Sequence, residues 1–385
     1  MYINFWYPAM ASDELTQKEP VQVQMLGTKF SLFRDQDGKA HCVSDVCVHR
    51  GGALSFGKMR NGQVECPYHG WLFNGSGACT LIPSMGKDAK IPARAKIDSY
   101  PVQEKYGIVF AFLGDLPEAE RPPIMEAPVH GQEGWRCNLI IFDVACNYER
   151  HLENGMDPAH NEFVHPTHGL EGDDERYSVP DFEIEESKWG SGFMTRFKGK
   201  MREGYETRTA ARTDKDGKFH SEISAGTWHH GPNTMLTKIG MTPENWMFQY
   251  IYDCPIDEGH IRCFLLNMRN CLLDPDYDTK IKDRCLEVAQ QDINIVTKLD
   301  PVKTPPKLTR EVMVPADSCI VRYREYLNAW TDKGWRIDTR AWRYELSHQE
   351  ATFTIPSPGR HSEKNWVLQS VPLVPASSEE SVPTE

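Results

Sequence analysis

The chain is 385 residues long, which leaves room for two or three domains of about 150 residues each. It carries 43 Lys and Arg against 55 Asp and Glu, a formal charge of −12 with no basic block, and this argues against a nucleic-acid partner. A hydrophobic share of 39% with 10% aromatics fits a globular protein and excludes a wholly disordered one. The longest apolar run, Ile108–Leu113, is far shorter than the roughly 20 residues of a membrane helix.

The opening Met-Tyr-Ile-Asn-Phe-Trp-Tyr-Pro has no basic segment followed by an apolar one, so no secretory signal is expected. Eleven irregularly spaced cysteines do not form a disulfide framework and point to a reducing, cytoplasmic setting. Short strands are expected over Val21–Leu26, Phe30–Arg34 and Ala40–Ser44, with Asp35–Gly38 as a hairpin turn. Two more should flank Tyr106-Gly107 within Val102–Leu113, which makes the front of the chain a small all-β domain. Asp115–Pro128, rich in Pro and acid, reads as a linker or covering loop. A second domain opens with a strand over Cys137–Val144 and a helix from Tyr148. Alternating apolar and polar residues from Phe182 to Arg269 predict a large antiparallel sheet. Helices are expected over Pro275–Leu299 and Asp317–Thr331, and the Pro-, Ser- and Glu-rich tail from Pro372 should be disordered.

Two loops carry the first chemistry. Cys47-Val-His49-Arg-Gly-Gly is followed, with sixteen residues between His49 and Cys66, by Cys66-Pro-Tyr-His69-Gly-Trp. Two thiolates and two imidazoles can hold zinc or a [2Fe–2S] cluster. Each loop offers one ligand of each type, an arrangement suited to one iron on two cysteines and the other on two histidines. Gly51, Gly52, Gly57 and Gly70 let the backbone turn tightly beside such a group.

The second constellation is Glu153-Asn154-Gly-Met-Asp157-Pro-Ala-His160-Asn-Glu-Phe-Val-His165-Pro. Asp157-Pro158 is expected to start a helix that presents Asp157 and His160 on one face, ending at His165 before Pro166. Two histidines and a carboxylate suit a ferrous ion with open positions. The carboxylate ligand is either Asp157 or one from elsewhere. Asp292 is the candidate, placed among apolar neighbours where a carboxylate needs a reason to be buried.

With both constellations in order, the chain resembles the Rieske non-haem iron oxygenases over about Phe5 to Arg324. The resemblance implies an α+β protein: an all-β Rieske domain over residues 1–120, then a helix-grip (START-like) catalytic domain with a large antiparallel sheet over 121–371. The tail over 372–385 is left outside both. It also implies Cys47, His49, Cys66 and His69 as cluster ligands, His160, His165 and Asp292 as ligands of a mononuclear Fe(II), and Asp157 as an electron-transfer bridge. Asn154 matches a position near that bridge in monooxygenase members. Electrons would come from NAD(P)H through a separate reductase, with or without a ferredoxin. The family's homotrimers pair the cluster of one subunit with the iron of its neighbour, so that His69 meets Asp157 across the interface. Hydroxylation or oxidative demethylation of a small, aromatic molecule with O2 is the expected reaction, and ring dihydroxylation is the alternative. A pure Rieske electron carrier or a ligand-binding cup would leave the 2-His motif without a role. For the substrate pocket the residues suggest Thr227–Thr234, chiefly His230 and Asn233, and an anion contact at Asn267 and Arg269.

Overall fold

The structure is a computed structural model that describes residues 1–168, 172, 175, 177–198 and 206–377. Its contacts divide the chain into two units: Met1–Ile124 joined by the chain from Asn328 onward, and Met125–Leu327.

The first unit is built from short strands in chain order: β1 (Phe5–Ala11), β2 (Val21–Met25), β3 (Thr28–Arg34), β4 (Ala40–Ser44), β5 (Lys58–Arg60), β6 (Gln63–Glu65), β7 (Leu72–Phe73), β8 (Cys79–Leu81), β9 (Ser99–Tyr100), β10 (Val102–Lys105) and β11 (Ile108–Leu113). They pair as three antiparallel sheets, β1-β11-β10, β2-β3-β4-β9 and β5-β6-β7-β8. The Asp35–Gly38 turn is held as its sequence suggests, with Asp35 Oδ1 accepting the amides of Asp37 and Lys39 at 3.0 and 2.9 Å. Every residue of β11 is buried, consistent with its uninterrupted apolar run. The sheet β5-β6-β7-β8 is flanked by the two Cys-His loops. Its core joins Val64 and Phe73 to Cys47, Cys66, Leu54 and Ile97.

The second unit begins with β12 (Arg136–Val144), α1 (Tyr148–Met156) and α2 (Asn161–Val164), followed by β13 (Glu185–Ser187), β14 (Gly190–Gly192), β15 (Thr195–Lys198) and α3 (Glu206–Ala211). Then come β16 (Glu222–His230), β17 (Thr234–Gly240), β18 (Trp246–Pro255), β19 (Ile261–Arg269) and the long helix α4 (Tyr277–Val296). The strands form the expected antiparallel sheet, in the order β12-β19-β18-β17-β16-β14-β13 with β15 also paired to β16. Helix α4 lies on this sheet. Ile281 and Cys285 pack against Ile140, Cys263 and Leu265, so the long helix packs on the large antiparallel sheet as the α+β expectation requires.

Two further helices, α5 (Ser318–Asp332) and α6 (Thr339–Ser347), follow. The sequential division expected from sequence is not the division by contacts, because residues 328–377 pack with the first unit rather than the second. The reason is specific pairing. Arg360 Nε and Nη2 donate to the two oxygens of buried Asp98, each at 2.7 Å, and Ser357 Oγ adds a bond of 2.7 Å. Tyr100 OH donates to the Ile355 carbonyl at 2.6 Å. The expected disordered tail is also corrected at its start. Val374 N–H donates to Arg336 O at 2.8 Å and Ser377 N–H to Asp332 O at 2.9 Å, while residues 378–385 lie outside the described ones.

Candidate functional site

The two Cys-His loops close in the same way. Gly51 N–H donates to Cys47 O (2.9 Å) and Gly70 N–H to Cys66 O (3.0 Å), with both glycines in the left-handed region. Each loop is then pinned by a return bond, Cys47 N–H to Gly52 O (2.9 Å) and Cys66 N–H to Trp71 O (2.8 Å). A Cβ at Gly52 would stand 3.0 Å from Cys66 Sγ, so the first loop passes as close to the second thiol as a backbone can. The cysteines are buried, whereas His49 and His69 are exposed, their ring centroids 4.5 Å apart and His49 stacked on Trp71 at 4.6 Å. Burial pushes the Cys47 thiol up to about 12 against the opposing His49 amide, and the nearby Cys66 adds to the rise. Such thiols ionise when a metal supplies the charge. Among the described residues, no three of these four donors converge within 4.8 Å. Donors of a single tetrahedral zinc would converge, at about 2.0–2.3 Å from one ion. Two buried sulfurs and two outward imidazoles instead fit a binuclear cluster with different ligands on its two irons.

In the second unit the local fold at Asp157 departs from the expected helix start. Asn147 caps α1 by accepting the Glu149 amide at 3.1 Å, and Asp157 is the residue that ends this helix. Pro158 then forces a turn. Asp157 Oδ1 accepts the Ala159 amide at 2.7 Å, and α2 runs only from Asn161 to Val164. As expected, His165 closes α2 before Pro166.

The turn brings His160 and His165 together with Asp292 of α4. The Nε2 atoms of the two histidines are 3.2 Å apart, and Asp292 Oδ1 lies 3.5 Å from His160 Nε2 and 3.2 Å from His165 Nε2. The other ring nitrogens fix the tautomers. His160 Nδ1–H donates to the Asp157 carbonyl (2.6 Å), and His165 Nδ1–H donates to Gln291 Oε1 (2.9 Å), which also accepts from Thr167 Oγ1 (3.0 Å). Both Nε2 lone pairs therefore face a carboxylate oxygen, and three acceptors at this spacing suit a shared cation. Asn154 Nδ2 donates to Asp292 Oδ1 at 2.9 Å. Burial alone would raise the Asp292 pKa, but the two histidines and Asn154 hold it below the usual carboxylate range. For His160, burial, reinforced by His165, outweighs the neighbouring carboxylates and lowers its pKa. Asp157 is not part of this triad. Its carboxylate is 4.0 Å from His160 Nδ1, and burial raises its pKa.

The triad opens on a cavity of about 280 Å³. The sheet contributes alternate residues, Ile223, Ala225 and Thr227 from β16 and Met247, Gln249 and Ile251 from β18. Helix α4 contributes Ile281, Cys285, Val288 and Ala289 along with Asp292. His168 and His151 also line it, and His151 Nδ1 is bonded to Asp253 at 2.7 Å. The expected pocket residues lie elsewhere. Thr227 reaches the cavity, but His230 falls on the other face of β16 by the two-residue alternation. Asn233 sits beyond the strand, with Nδ2 donating to Asp253 O at 2.9 Å. Arg269 is not an anion contact either. Its guanidinium is spent on Asp278 (2.6 Å), Asn138 (2.6 Å) and the Leu272 carbonyl (3.1 Å). Sequence reasoning missed Gln291, although it adjoins Asp292, and Arg212, which no motif marks.

Residues 5–101 match the Rieske [2Fe-2S] domain family, and residues 144–333 match the vanillate O-demethylase oxygenase C-terminal domain family. The chain is 38% identical to chlorophyllide a oxygenase of Chlamydomonas reinhardtii over 193 residues, 49% of this chain and 28% of that protein. It is 32% identical to the oxygenase subunit of 3-chlorobenzoate-3,4-dioxygenase of Comamonas testosteroni over 182 residues, 46% of this chain and 40% of that one. These matches thus span less than half the length of either relative. Among solved structures, Pseudomonas putida CBB5 NdmA with caffeine superposes with a TM-score of 0.68 at 22% identity, covering 84% of this chain and 90% of that one, a likeness of fold.

Proposed function

The chain belongs to the Rieske non-haem iron oxygenases, and on that premise we propose that it is a terminal oxygenase component that uses O2 to hydroxylate or oxidatively demethylate a small, aromatic substrate in the cavity beside His160, His165 and Asp292. The convergence of two imidazole Nε2 atoms and one carboxylate oxygen on a single point, within an apolar cavity, carries this reading. Cys47, His49, Cys66 and His69 would hold the [2Fe–2S] cluster, and the triad the ferrous ion. When bound, the cluster supplies single electrons and the ferrous ion an open position for dioxygen beside the substrate.

The chain's own groups do the positioning. The Asp157 carbonyl and Gln291 keep the Nδ1 protons on His160 and His165, so that both Nε2 atoms remain ligands. Asn154 orients the Asp292 carboxylate. The sheet and α4 exclude water from the reacting face with apolar side chains. Asp157 would bridge to His69 of another copy of the chain, accepting the proton of that exposed imidazole. This calls for a homotrimer and for reduction by an NAD(P)H-dependent reductase, directly or through a ferredoxin. No helix among the described residues is long and apolar enough to cross a membrane.

Iron and acid-labile sulfide per chain on anaerobically purified protein test the reading. About three irons and two sulfides are expected. About two irons with two sulfides, not raised by added ferrous ion, would leave an electron carrier and overturn it.

A further inference from the structure

One cation in the cavity wall has no role in the metal site. Arg212 lines the cavity while only 1% of its surface is exposed. Two of its three nitrogens are used: Nε donates to the His220 carbonyl at 2.8 Å, and Nη2 to the Ser221 carbonyl. The guanidinium carbon lies 5.1 Å from the Phe219 ring centre, which holds the plane from one side. The third nitrogen, Nη1, is buried and has no hydrogen-bond partner. No carboxylate is paired with Arg212 among the described residues.

The other arginine of the lining differs. Arg284 has Nη1 on Glu287 at 2.8 Å and Nη2 on the Thr167 carbonyl at 2.8 Å. Arg269, deep in the same sheet, is neutralised by Asp278 at 2.6 Å. Arg212 is thus the guanidinium of this region with both a donor and a charge left to satisfy. A guanidinium stays charged under all working conditions, and a buried charge is stable only when paired. Two carbonyl contacts fix its orientation and leave the Nη1 N–H groups as unused donors that an oxyanion could take up.

We infer that the cavity selects an anionic substrate, and that Arg212 is the specificity-determining residue that binds its carboxylate through Nη1. This rests on the oxygenase reading of the same cavity and narrows its substrate class from small aromatics to aromatic acids. Arg212 does not touch the reacting centre in this scheme. It fixes which end of the substrate faces away from the metal ligands.

The test is calorimetric titration of anaerobic, oxidised holoprotein, in which no turnover occurs, with benzoate and with its neutral isostere benzamide. Benzoate should bind at least about tenfold more tightly to the wild type. Arg212→Gln should abolish the difference, and Arg212→Lys should retain the charge but lose at least about threefold of the preference, because the planar fork is gone. Equal affinities in the wild type, no benzoate binding, or a preference that survives in Arg212→Gln (as it would if the anion sat on the metal or at Lys198) would each overturn the inference. If Arg212→Gln does not fold, the wild-type comparison and Arg212→Lys decide. Iron and sulfide are counted on the same samples. Low iron with intact anion selectivity removes the oxygenase reading but keeps the anion site, and full iron without selectivity does the reverse.

Discussion

Gln291 decides which nitrogen of His165 can serve as a ligand. Its Oε1 accepts the Nδ1 proton, and Thr167 holds the amide in place. Gln291→Leu removes that anchor without touching a ligand atom, so ferrous affinity should fall by about 10–100-fold while the cluster stays intact. Metal titration of the mononuclear site, with the cluster's visible spectrum as the internal control, reads the two separately. Asp157→Asn makes the opposite separation. The Asp157 contact to His160 runs through the backbone carbonyl, which the substitution keeps. Both metals should therefore remain bound while turnover stops. An active Asp157→Asn enzyme would remove the bridging role.

His229 gives a residue-scale consequence for pH. Burial lowers its pKa to about 3, and its ring packs between Tyr323 and Tyr326 with centroids at 5.0 and 5.2 Å. In the unfolded chain the same imidazole titrates near 6.5, at about 1.4 kcal/mol per pH unit once the two states differ by a proton. Between these values the unfolded state binds the extra proton. The contribution is complete above about pH 6.5 and is lost progressively as the pH falls toward 3. Urea unfolding at pH 7, 6 and 5 should show a shallower pH dependence for His229→Asn than for the wild type, whatever the absolute cost of the substitution.

At the scale of elements, α4 shows what a sequence can and cannot disclose. Its cavity face, Ile281, Cys285, Val288, Ala289 and Asp292, follows the three-and-four spacing of a helix, so a carboxylate amid that apolar stripe stands out in the residue pattern itself. The two Cys-His loops are equally legible as a motif because their donor residues lie close together in sequence. The substrate wall is not. Cavity residues come from β12 through α4, and which face of β16 points inward depends on register with β17 and β18 rather than on local composition. His230 misleads because it is not among the cavity-lining residues, and the helix expected at Asp157 fails because Pro158 is taken up by a turn. Arg212 carries no motif at all, and only burial and its unmatched nitrogen single it out.

The segment after α6 is a second case. Its short elements are unremarkable in sequence, yet Arg360 neutralises Asp98, whose carboxylate is fully buried. Arg360→Ala leaves that charge unpaired and should cost the first unit about 3–5 kcal/mol. Chemical denaturation followed through the cluster's absorbance measures the loss, and an unchanged midpoint would show that the segment is dispensable.

For the whole molecule, the discontinuity of the first unit has a consequence in time. Residues 125–327 are threaded into the middle of that unit's chain. A ribosome that has finished β11 at Leu113 must still translate roughly 250 residues, about 12–50 s at ~5–20 residues/s, before Arg360 and Ile355 can meet Asp98 and Tyr100. Throughout that interval Cys47 and Cys66 belong to an incomplete fold. The second unit, being continuous, can close before the first. Synthesis thus sets an order of folding: His160, His165 and Asp292 can come together before the segment that completes the fold around Cys47 and Cys66 has been made. A released chain ending at residue 330 should therefore protect residues 125–327 from protease while residues 1–124 are still cut.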